Sequence, residues 1–551
     1  MRNWISEPFI FPHPFTSLDY EDGPRPLTLA ELRMTELSYA LRSKPSWWSK
    51  YKDPEIRKKW RSEALVQDIK GGKLLPAEVN FVLDELAGYE ELRDAESGIQ
   101  QSCFSRIYES DALIPPGLCQ QLVKGVSKLE EVPDEKKDWH PRSDNLVLDL
   151  VHPSLYCAVY GRTLAYPLSA NKPTRKEKDL KPLAPPKRNR STTCLSDRFA
   201  WIPTDFIIES QTSAKALSYI NNLHPSHSEL YDTISQIVAR FSAMFDRVLT
   251  DLHPSYSPLL RIDGKRGRYR WVSPEGDKEP LDYTSDDFEE RYGAWERRRT
   301  LILPTVPKEG YTSAYNPATR QTRCSILGEM VQVIVKLANI HLAPEKPEYQ
   351  GGSWHVEGMQ NENIIASGIY YYDSENITES TLAFRTAINF VMEPYEQSDS
   401  IGARRVWGLD HTCDSNQVIG GVKTTQGRCI AFPNIYQHQV SPFRLQDANK
   451  PGHRKILALF LVNPKQRIPS TSDIPPQQEH LAREAMGSAS TTSLLSTMPP
   501  ELLNMVAKQV DSLMTLEEAK AYRLELMDER TAGVVEQNET YFATEFNMCE
   551  H

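Results

Sequence analysis

Three side chains that bind metals well stand in two strand-like stretches of the sequence. His355 and Glu357 lie in GGSWHVEGMQNENIIASGIYYY (351–372), and His438 lies in RCIAFPNIYQHQVSPF (428–443). Residues two apart on an extended chain point to the same side, so His355 and Glu357 can reach one point. Two histidines and one carboxylate on one face of a metal, with positions left open, form the ligand set of non-haem Fe(II) oxygenases. The spacing therefore predicts a metal site made by these three residues.

A cation follows these residues at a useful distance. A keto acid such as 2-oxoglutarate would chelate the metal and present its distal carboxylate, which a guanidinium matches with two hydrogen bonds. Arg454 begins the run RKILALFLV, 16 residues after His438, so an antiparallel return could bring both into one cavity. Tyr370 or Tyr372, which point the same way along a strand, could add a hydroxyl to the co-substrate. Lys455 has the opposite orientation to Arg454 and is the weaker choice.

The region that holds these residues is predicted to be all-β from Leu327 onward. The run EMVQVIVKLANIHL is apolar on both sides, which is typical of a strand buried on both faces. Further strands are expected at IIASGIYYY, TAINFVM, ARRVWGL, NQVIGGVKTT, RCIAFP, HQVSPF and KILALFLV. Short strands separated by turn signals indicate a sandwich or a barrel.

Helices are predicted on both sides of this region. Thr28-Leu-Ala-Glu31 and Thr515-Leu-Glu-Glu518 are capping boxes, and Asp53 followed by Pro54 is a second kind of helix start. A third N-terminal helix is expected after Pro76. The clearest helix is 227–252, whose apolar residues form one stripe that would pack against a sheet.

Composition limits the class of protein. The 551 residues exceed a single compact core, and a net charge of −10 argues against general nucleic-acid affinity. No apolar run approaches a membrane span, and the N-terminus lacks a signal core, so a cytoplasmic or nuclear protein is expected. The eight cysteines form no C-x-x-C pair. The basic, proline-rich stretch 169–191 could bind nucleic acid, but a solvated loop is the favoured interpretation.

Long stretches of the chain resemble a family of mostly fungal proteins without an assigned activity. They are QVIVKLANIHLAPEKPEYQGGSWHVEGMQNENIIASGIYYYDSENITES and GRCIAFPNIYQHQVSPFRLQDANKPGHRKILALFLVNP. The stretch ELRMTELSYALRSKPSWWSKYKDPEIRKKWRSEAL resembles that family's separate N-terminal module.

More broadly, the His-x-acid pair, the distal histidine and the following arginine resemble the 2-oxoglutarate/Fe(II)-dependent dioxygenase superfamily. The resemblance implies a double-stranded β-helix core with His355, Glu357 and His438 on Fe(II) and Arg454 on 2-oxoglutarate. Two features depart from the superfamily pattern. The acid is Glu357 where aspartate is commoner, and the 16-residue gap to Arg454 is longer than usual.

We therefore expect an α+β protein with a double-stranded β-helix (jelly-roll) core. Residues 1–75 would form a helical N-terminal module, 76–466 the dioxygenase-like domain with helical insertions, and 467–551 a proline-rich linker and helical tail. The expected function is oxidation of an unknown substrate, a small molecule or a protein. Two alternatives stay open: a Zn- or Mn-dependent enzyme on the same barrel, for which Arg454 has no required role, and a non-catalytic interaction protein with a vestigial site.

Overall fold

The computed structural model describes residues 4–15, 24–168, 179–188, 194–262, 269–320, 322–388, 399–481 and 512–546, with five further positions between 498 and 505. Within these ranges the protein is a mixed α/β structure whose strand pairs are antiparallel. Most of the basic stretch 169–191 lies outside the described residues, as does most of ELLNMVAKQVDSLM (501–514), where the sequence predicts a helix. No helix in the described part is long and apolar enough to cross a membrane.

The helices of the described ranges lie mainly before residue 300. They are α1 (Leu29–Arg42), α2 (Trp47–Lys50), α3 (Pro54–Val66), α4 (Pro76–Leu92), α5 (Pro116–Glu130), α6 (Ser228–Leu252), α7 (Phe288–Arg298), α8 (Ser400–Trp407) and α9 (Leu516–Gln537). The predicted helix starts are confirmed. The side chain of Thr28 accepts a hydrogen bond at the start of α1, that of Asp53 at the start of α3, and that of Thr515 at the start of α9.

The strands before residue 305 are short. They are β1 (Gln100–Gln101), β2 (Tyr108–Ser110), β3 (Val147–Val151), β4 (Ala158–Val159), β5 (Leu164–Ala165), β6 (Lys181–Pro182), β7 (Phe199–Ala200), β8 (Thr204–Ile208), β9 (Ala214–Ala216), β10 (Arg270–Val272) and β11 (Thr300–Ile302). The later ones are β12 (Met330–Leu342), β13 (Glu348–Tyr349), β14 (Ile364–Glu375), β15 (Thr381–Ala387), β16 (Asn416–Lys423), β17 (Cys429–Pro433), β18 (Gln437–Val440), β19 (Phe443–Arg444) and β20 (Gly452–Val462).

Nine of these strands form the main sheet, in the order β1-β2-β17-β14-β20-β12-β8-β9, with β3 also paired to β12. The long strands β12, β14 and β20 lie side by side and are buried on both faces, which explains their near-continuous apolar sequences. We call the face that carries Val333, Val335 and Leu459 the outer face. The face that carries Ile334 and Phe460 is the inner face.

Helix α6 packs across the outer face, as its apolar stripe predicts. Phe241 and Phe245 are buried in one cluster with Val333 and Leu459. Gly368 of β14 allows the helix to approach closely, because a Cβ atom there would lie 2.7 Å from Cδ1 of Phe241.

Gly368→Ala is expected to destabilise the fold by about 1–3 kcal/mol, because extra atoms in a well-packed core force the surrounding rings and backbone to shift. The free energy of unfolding in urea measures this loss. Gly421→Ala in β16 is the matched control, since the nearest atom to its Cβ would be 3.5 Å away. Equal losses for the two substitutions would contradict the close approach of α6.

The small sheet, β16-β15-β18, faces the inner face of the main sheet. Leu382 and Phe384 of β15 and Val422 of β16 are buried in one cluster with Phe460. The ring centroid of Phe384 lies 5.0 Å from that of Phe432 on β17. We call the space between these two sheets the interior.

Helix α9 packs against one side of the interior. Met514, just before the helix, and Leu526 within it belong to the inner cluster. The guanidinium carbon of Arg530 lies 3.7 Å from the ring centroid of Trp201, and Arg530 pairs with the buried Glu362 at 2.6 Å. The C-terminal helix is therefore part of the folded core.

The N-terminal helices form a core of their own. Trp47 and Trp60 are buried there with residues of α1 and α4. Arg261 joins α1 to α4, since its Nη1 lies 2.7 Å from Glu31 and its Nη2 lies 2.7 Å from Glu85. Helix α4, which begins at Pro76, packs on α1 in this core.

One predicted strand is wrong. ARRVWGL (403–409) forms most of helix α8. The carboxylate of Asp399 accepts a hydrogen bond from the backbone N–H of Gly402 at 2.8 Å, and Gly408 ends the helix with φ 73°. An Asp cap and a left-handed glycine are helix-end signals, whereas the apolar spacing of seven residues does not separate a short helix from a strand.

Asp246 of α6 carries a carboxyl group with an unusual pKa. It accepts hydrogen bonds from Ser325 Oγ and from the backbone N–H of Ile326, both at 2.7 Å. Burial outweighs these hydrogen bonds and raises the pKa of Asp246 to about 6. The folded state therefore holds a proton that the unfolded chain releases, and the resulting stability is lost as the pH rises through about 6.

Asp246→Asn is expected to raise the free energy of unfolding at pH 7.5 by about 2 kcal/mol more than at pH 4.5, because one pKa unit corresponds to about 1.4 kcal/mol. Denaturant unfolding at the two pH values measures the difference. Asp232→Asn, at an exposed position of the same helix, is the control. A gain that does not change with pH would show that Asp246 is not protonated in the folded state.

Candidate metal centre

His355 and His438 meet through a short backbone pairing. The N–H of His438 donates to the carbonyl of His355 at 2.9 Å, and the N–H of His355 donates to the carbonyl of His438 at 3.2 Å. The two ring centroids are 4.4 Å apart. On its other side His438 pairs with Phe384, whose ring belongs to the inner cluster, so the imidazole of His438 faces the interior.

Glu357 completes the group. Asn434 fixes its backbone, because the Asn434 side chain accepts from the N–H of Glu357 at 2.8 Å and donates to its carbonyl at 2.9 Å. One carboxylate oxygen of Glu357 lies 3.2 Å from Nε2 of His438 and 3.7 Å from Nε2 of His355. The three ligand atoms lie within 4.8 Å of one another, so the structure brings the predicted triad together.

A glycine turn brings the His355 segment alongside β18. Gly351 has φ 88°, a left-handed conformation that favours glycine. A Cβ there would lie 2.6 Å from the carbonyl oxygen of Val440. The N–H of Gly352 donates to that same carbonyl at 3.0 Å. Glycine at 351 therefore lets the two segments run close together up to the histidine pair.

The protonation states of the triad suit a cation. Burial raises the pKa of Glu357, but hydrogen bonds and charge from His355 and His438 outweigh it and hold that pKa well below its ordinary value. Burial and the charge of His355 lower the pKa of His438. Burial lowers the pKa of His355, but the hydrogen bond and charge of Glu357 have the larger, opposite effect, so this pKa is raised overall. A cation that binds here meets an ionised carboxylate, and the imidazole nitrogens that hold it must be unprotonated.

The tautomer of His355 also fits a metal ligand. Its Nδ1 lies 2.8 Å from the carbonyl oxygen of Ser353, which accepts a hydrogen bond from Nδ1–H and leaves the lone pair of Nε2 free. His438 is almost fully buried, and its Nδ1 has no hydrogen-bond partner among the described residues. Two imidazole nitrogens and one carboxylate oxygen suit iron, and also zinc or manganese.

Arg454 of β20 faces the same interior. Its side chain is buried, with the guanidinium carbon 4.1 Å from the ring centroid of Phe443 and 5.7 Å from that of Tyr371. Nε and Nη1 of Arg454 have no hydrogen-bond partner in the described part of the chain. Burial lowers the pKa of Arg454, and Tyr371 and Tyr349 only partly oppose this. By contrast, Lys455 points outward and pairs with Glu130 at 2.9 Å.

The structure does not bring Tyr370 or Tyr372 to this site. Both belong to the outer-face cluster, and the hydroxyl of Tyr372 donates to Asn339 at 3.2 Å. Tyr371, between them, faces inward. The sequence could not decide this, because IIASGIYYY is apolar on both faces and carries no alternation to set the register.

A second group of possible ligands was not predicted from the sequence. Ligand atoms of His140, Asp149 and His152 also lie within 4.8 Å of one another. Two observations argue against a metal there. The backbone N–H of Ser154 donates to Nδ1 of His152 at 3.2 Å, so a neutral ring carries its hydrogen on Nε2. Arg523 also lies 3.9 Å from the Asp149 carboxylate.

The chain belongs to the family described as "Protein of unknown function (DUF4246)", which matches residues 76–485. The N-terminal domain of the same family matches residues 2–63. A comparison with curated proteins found no match.

Several solved structures are similar to this chain at a distance. The Fe(II)/(alpha)ketoglutarate-dependent dioxygenase TqaL is 11% identical over 48% of this chain and 66% of that chain, with a TM-score of 0.22. A BsmA homologue from Methylobium petroleophilum PM1 is 10% identical over 36% of this chain and 63% of that chain, with a TM-score of 0.16. Oxalate decarboxylase from Lactobacillus farciminis is 10% identical over 41% and 58%, with a TM-score of 0.12. The match spans just under two thirds of the first structure and less of the others.

Proposed function

We propose that the protein is an Fe(II)- and 2-oxoglutarate-dependent dioxygenase on a double-stranded β-helix core. His355, Glu357 and His438 would hold the iron, and Arg454 would bind the distal carboxylate of 2-oxoglutarate. Two facing antiparallel sheets with the ligands between them support this architecture. Bound iron and 2-oxoglutarate supply the oxidation of a substrate by O₂, coupled to decarboxylation of the keto acid to succinate.

The unpartnered guanidinium of Arg454 carries the proposal. A buried charge without a partner is costly, and a carboxylate ligand would supply the two hydrogen bonds that the described chain leaves unmade. A zinc or manganese enzyme with the same three ligands has no need of such an arginine. Tyr371, beside Arg454, replaces Tyr370 and Tyr372 as the candidate tyrosine near the co-substrate.

The side chains around the triad have their own tasks. The carbonyl of Ser353 orients His355, and the amide of Asn434 holds Glu357 in place. The ring of Phe432 lies 4.9 Å from that of His438 and, with Phe384, keeps water from that side of the site. These contacts fix the ligand geometry before any metal binds.

The proposal is tested without knowing the substrate. Fe(II) and then 2-oxoglutarate are added to the full chain without oxygen, and the visible charge-transfer band of the chelate is recorded. The proposal predicts a band that needs both additions. Iron binding without a band would overturn the dioxygenase assignment and favour a Zn or Mn enzyme. No metal binding at all would favour the interaction protein.

A further inference from the structure

A polar wall lies on the inner face, on the side of the main sheet where β3 pairs with β12. Asp149 of β3 stands opposite Ala338 of β12. Lys336, two residues before Ala338, stands opposite Ala458, which belongs to the inner cluster. Paired residues and residues two apart share a face, so Asp149 and Lys336 both point into the interior.

Asp149 offers an acceptor that the protein does not use. Its side chain is fully buried, and its Oδ2 lies 2.8 Å from Nδ1 of His140. Its Oδ1 is buried and has no hydrogen-bond partner among the described residues. Burial raises the pKa of Asp149, but His152 and His140 together have the larger, opposite effect. This pKa is therefore lowered overall, and the carboxylate is ionised. An ionised oxygen without a donor is costly to bury, which points to a ligand that brings a donor.

His152 and Lys336 offer the complementary groups. Burial holds the pKa of His152 well below its ordinary value, and Ser154 occupies its Nδ1, so the neutral ring presents Nε2–H as a donor. Lys336 makes no ion pair or hydrogen bond with the residues that the structure describes. The wall therefore combines one carboxylate oxygen without a donor, one imidazole N–H and one ammonium group, while His140 and, at 3.9 Å, Arg523 lie beside the other oxygen of Asp149.

This wall and the metal centre face the same space. Lys336 stands opposite Ala458 and His438 stands opposite Phe384, and both of these partners belong to the inner cluster. The side chain of His355 is 33% exposed and that of His140 is 25% exposed, so neither imidazole is sealed from solvent. A small molecule that contacts the wall would occupy the interior that His438 also faces.

We propose that Asp149, His152 and Lys336 form the binding subsite for the primary substrate, and that this substrate is a small amino-acid-like zwitterion. Its ammonium group would donate to Asp149 Oδ1, and its carboxylate would accept from Lys336 and His152. Asp149 and Lys336 lie on the same face of adjacent strands, on either side of the bulge between Leu337 and Ala338, so each can meet one charged end of a short zwitterion. A purely anionic ligand would leave Oδ1 of Asp149 without a donor, and a purely cationic one would leave Lys336 without an ion pair.

Only the reaction of this ligand rests on the proposed function, so binding is tested separately. Ligand-observed saturation-transfer NMR on the full chain uses the twenty proteinogenic amino acids as probes. Each amino acid that binds is compared with its analogue lacking the amine and its analogue lacking the carboxylate. We expect at least one amino acid to bind and both analogues to bind at least 10-fold more weakly.

Variants locate the binding. Asp149→Asn and Lys336→Met are each expected to weaken amino-acid binding at least 10-fold, and circular dichroism checks that both fold. Lys215→Met, at an exposed position of β9, is the matched control and should bind normally. If Asp149→Asn fails to fold, Lys336→Met and His152→Asn still decide the question.

The outcomes separate the two proposals. The subsite is overturned if no amino acid binds, or if the variants bind as wild type does. It is also overturned if Lys336→Met weakens 2-oxoglutarate binding and leaves amino-acid binding unchanged. A charge-transfer band without amino-acid binding leaves the dioxygenase standing and removes the subsite. Amino-acid binding without a charge-transfer band leaves the subsite standing and removes the dioxygenase.

Discussion

His438→Ala is expected to weaken Fe(II) binding on the order of 100-fold or more, because even the outer-shell partners of metal ligands contribute 10–100-fold. The histidine is almost fully buried, and its Nε2 lies 3.2 Å from the Glu357 carboxylate, so its loss leaves two ligands and a void. Equilibrium dialysis under nitrogen, followed by metal analysis, measures the affinity.

His453→Ala is the matched control for this variant. His453 lies on β20, but its Nε2 pairs with Asp373 at 2.9 Å away from the triad. Glu357→Gln keeps the shape of the site and removes its charge, so it should lose iron as His438→Ala does. If either triad variant keeps wild-type affinity, these residues do not hold the metal.

Arg454→Met is expected to weaken 2-oxoglutarate binding at least 100-fold while leaving iron binding intact, since a charge-assisted hydrogen bond contributes about 1.5–3 kcal/mol and the guanidinium can make two. The same substitution should raise the free energy of unfolding of the metal-free protein by about 1–3 kcal/mol, because it removes a buried charge that lacks a partner. Titration of the charge-transfer band measures the first effect, and urea unfolding measures the second.

Arg261→Met is the matched control for this substitution. Arg261 is also buried, but it is paired with Glu31 and Glu85. Removing it leaves two buried carboxylates uncompensated and should destabilise the fold by about 3–5 kcal/mol. A comparable loss of stability in Arg454→Met, with normal 2-oxoglutarate binding, would mean that Arg454 has a structural role and would remove the main support for the dioxygenase.

The sequence predicts those parts of the structure whose signals are local. Thr28, Asp53 and Thr515 cap helices because their side chains bond to backbone within three residues. The His355–Glu357 pair is predictable because strand geometry alone places residues two apart on one face. The meeting of this pair with His438 is not local, and there the family resemblance supplied what spacing could not.

Two parts of the site were beyond sequence reasoning for a physical reason. Tyr370, Tyr371 and Tyr372 lie in a strand buried on both faces, so composition does not show which of them face the interior. Asp149 lies in LVLDLV, an ordinary strand pattern, and only its pairing with Ala338 places it on the inner face. Both questions depend on which strands become neighbours, and that is decided by the whole fold.

Helix α9 has a consequence for where the protein can be cut. The family match ends at residue 485, yet Met514, Ala519 and Leu526 belong to the inner core that carries the metal ligands. A chain truncated at that boundary would expose apolar surface and leave Glu362 buried without Arg530. We therefore expect a stably folded fragment to extend past residue 485 and to include the C-terminal helix.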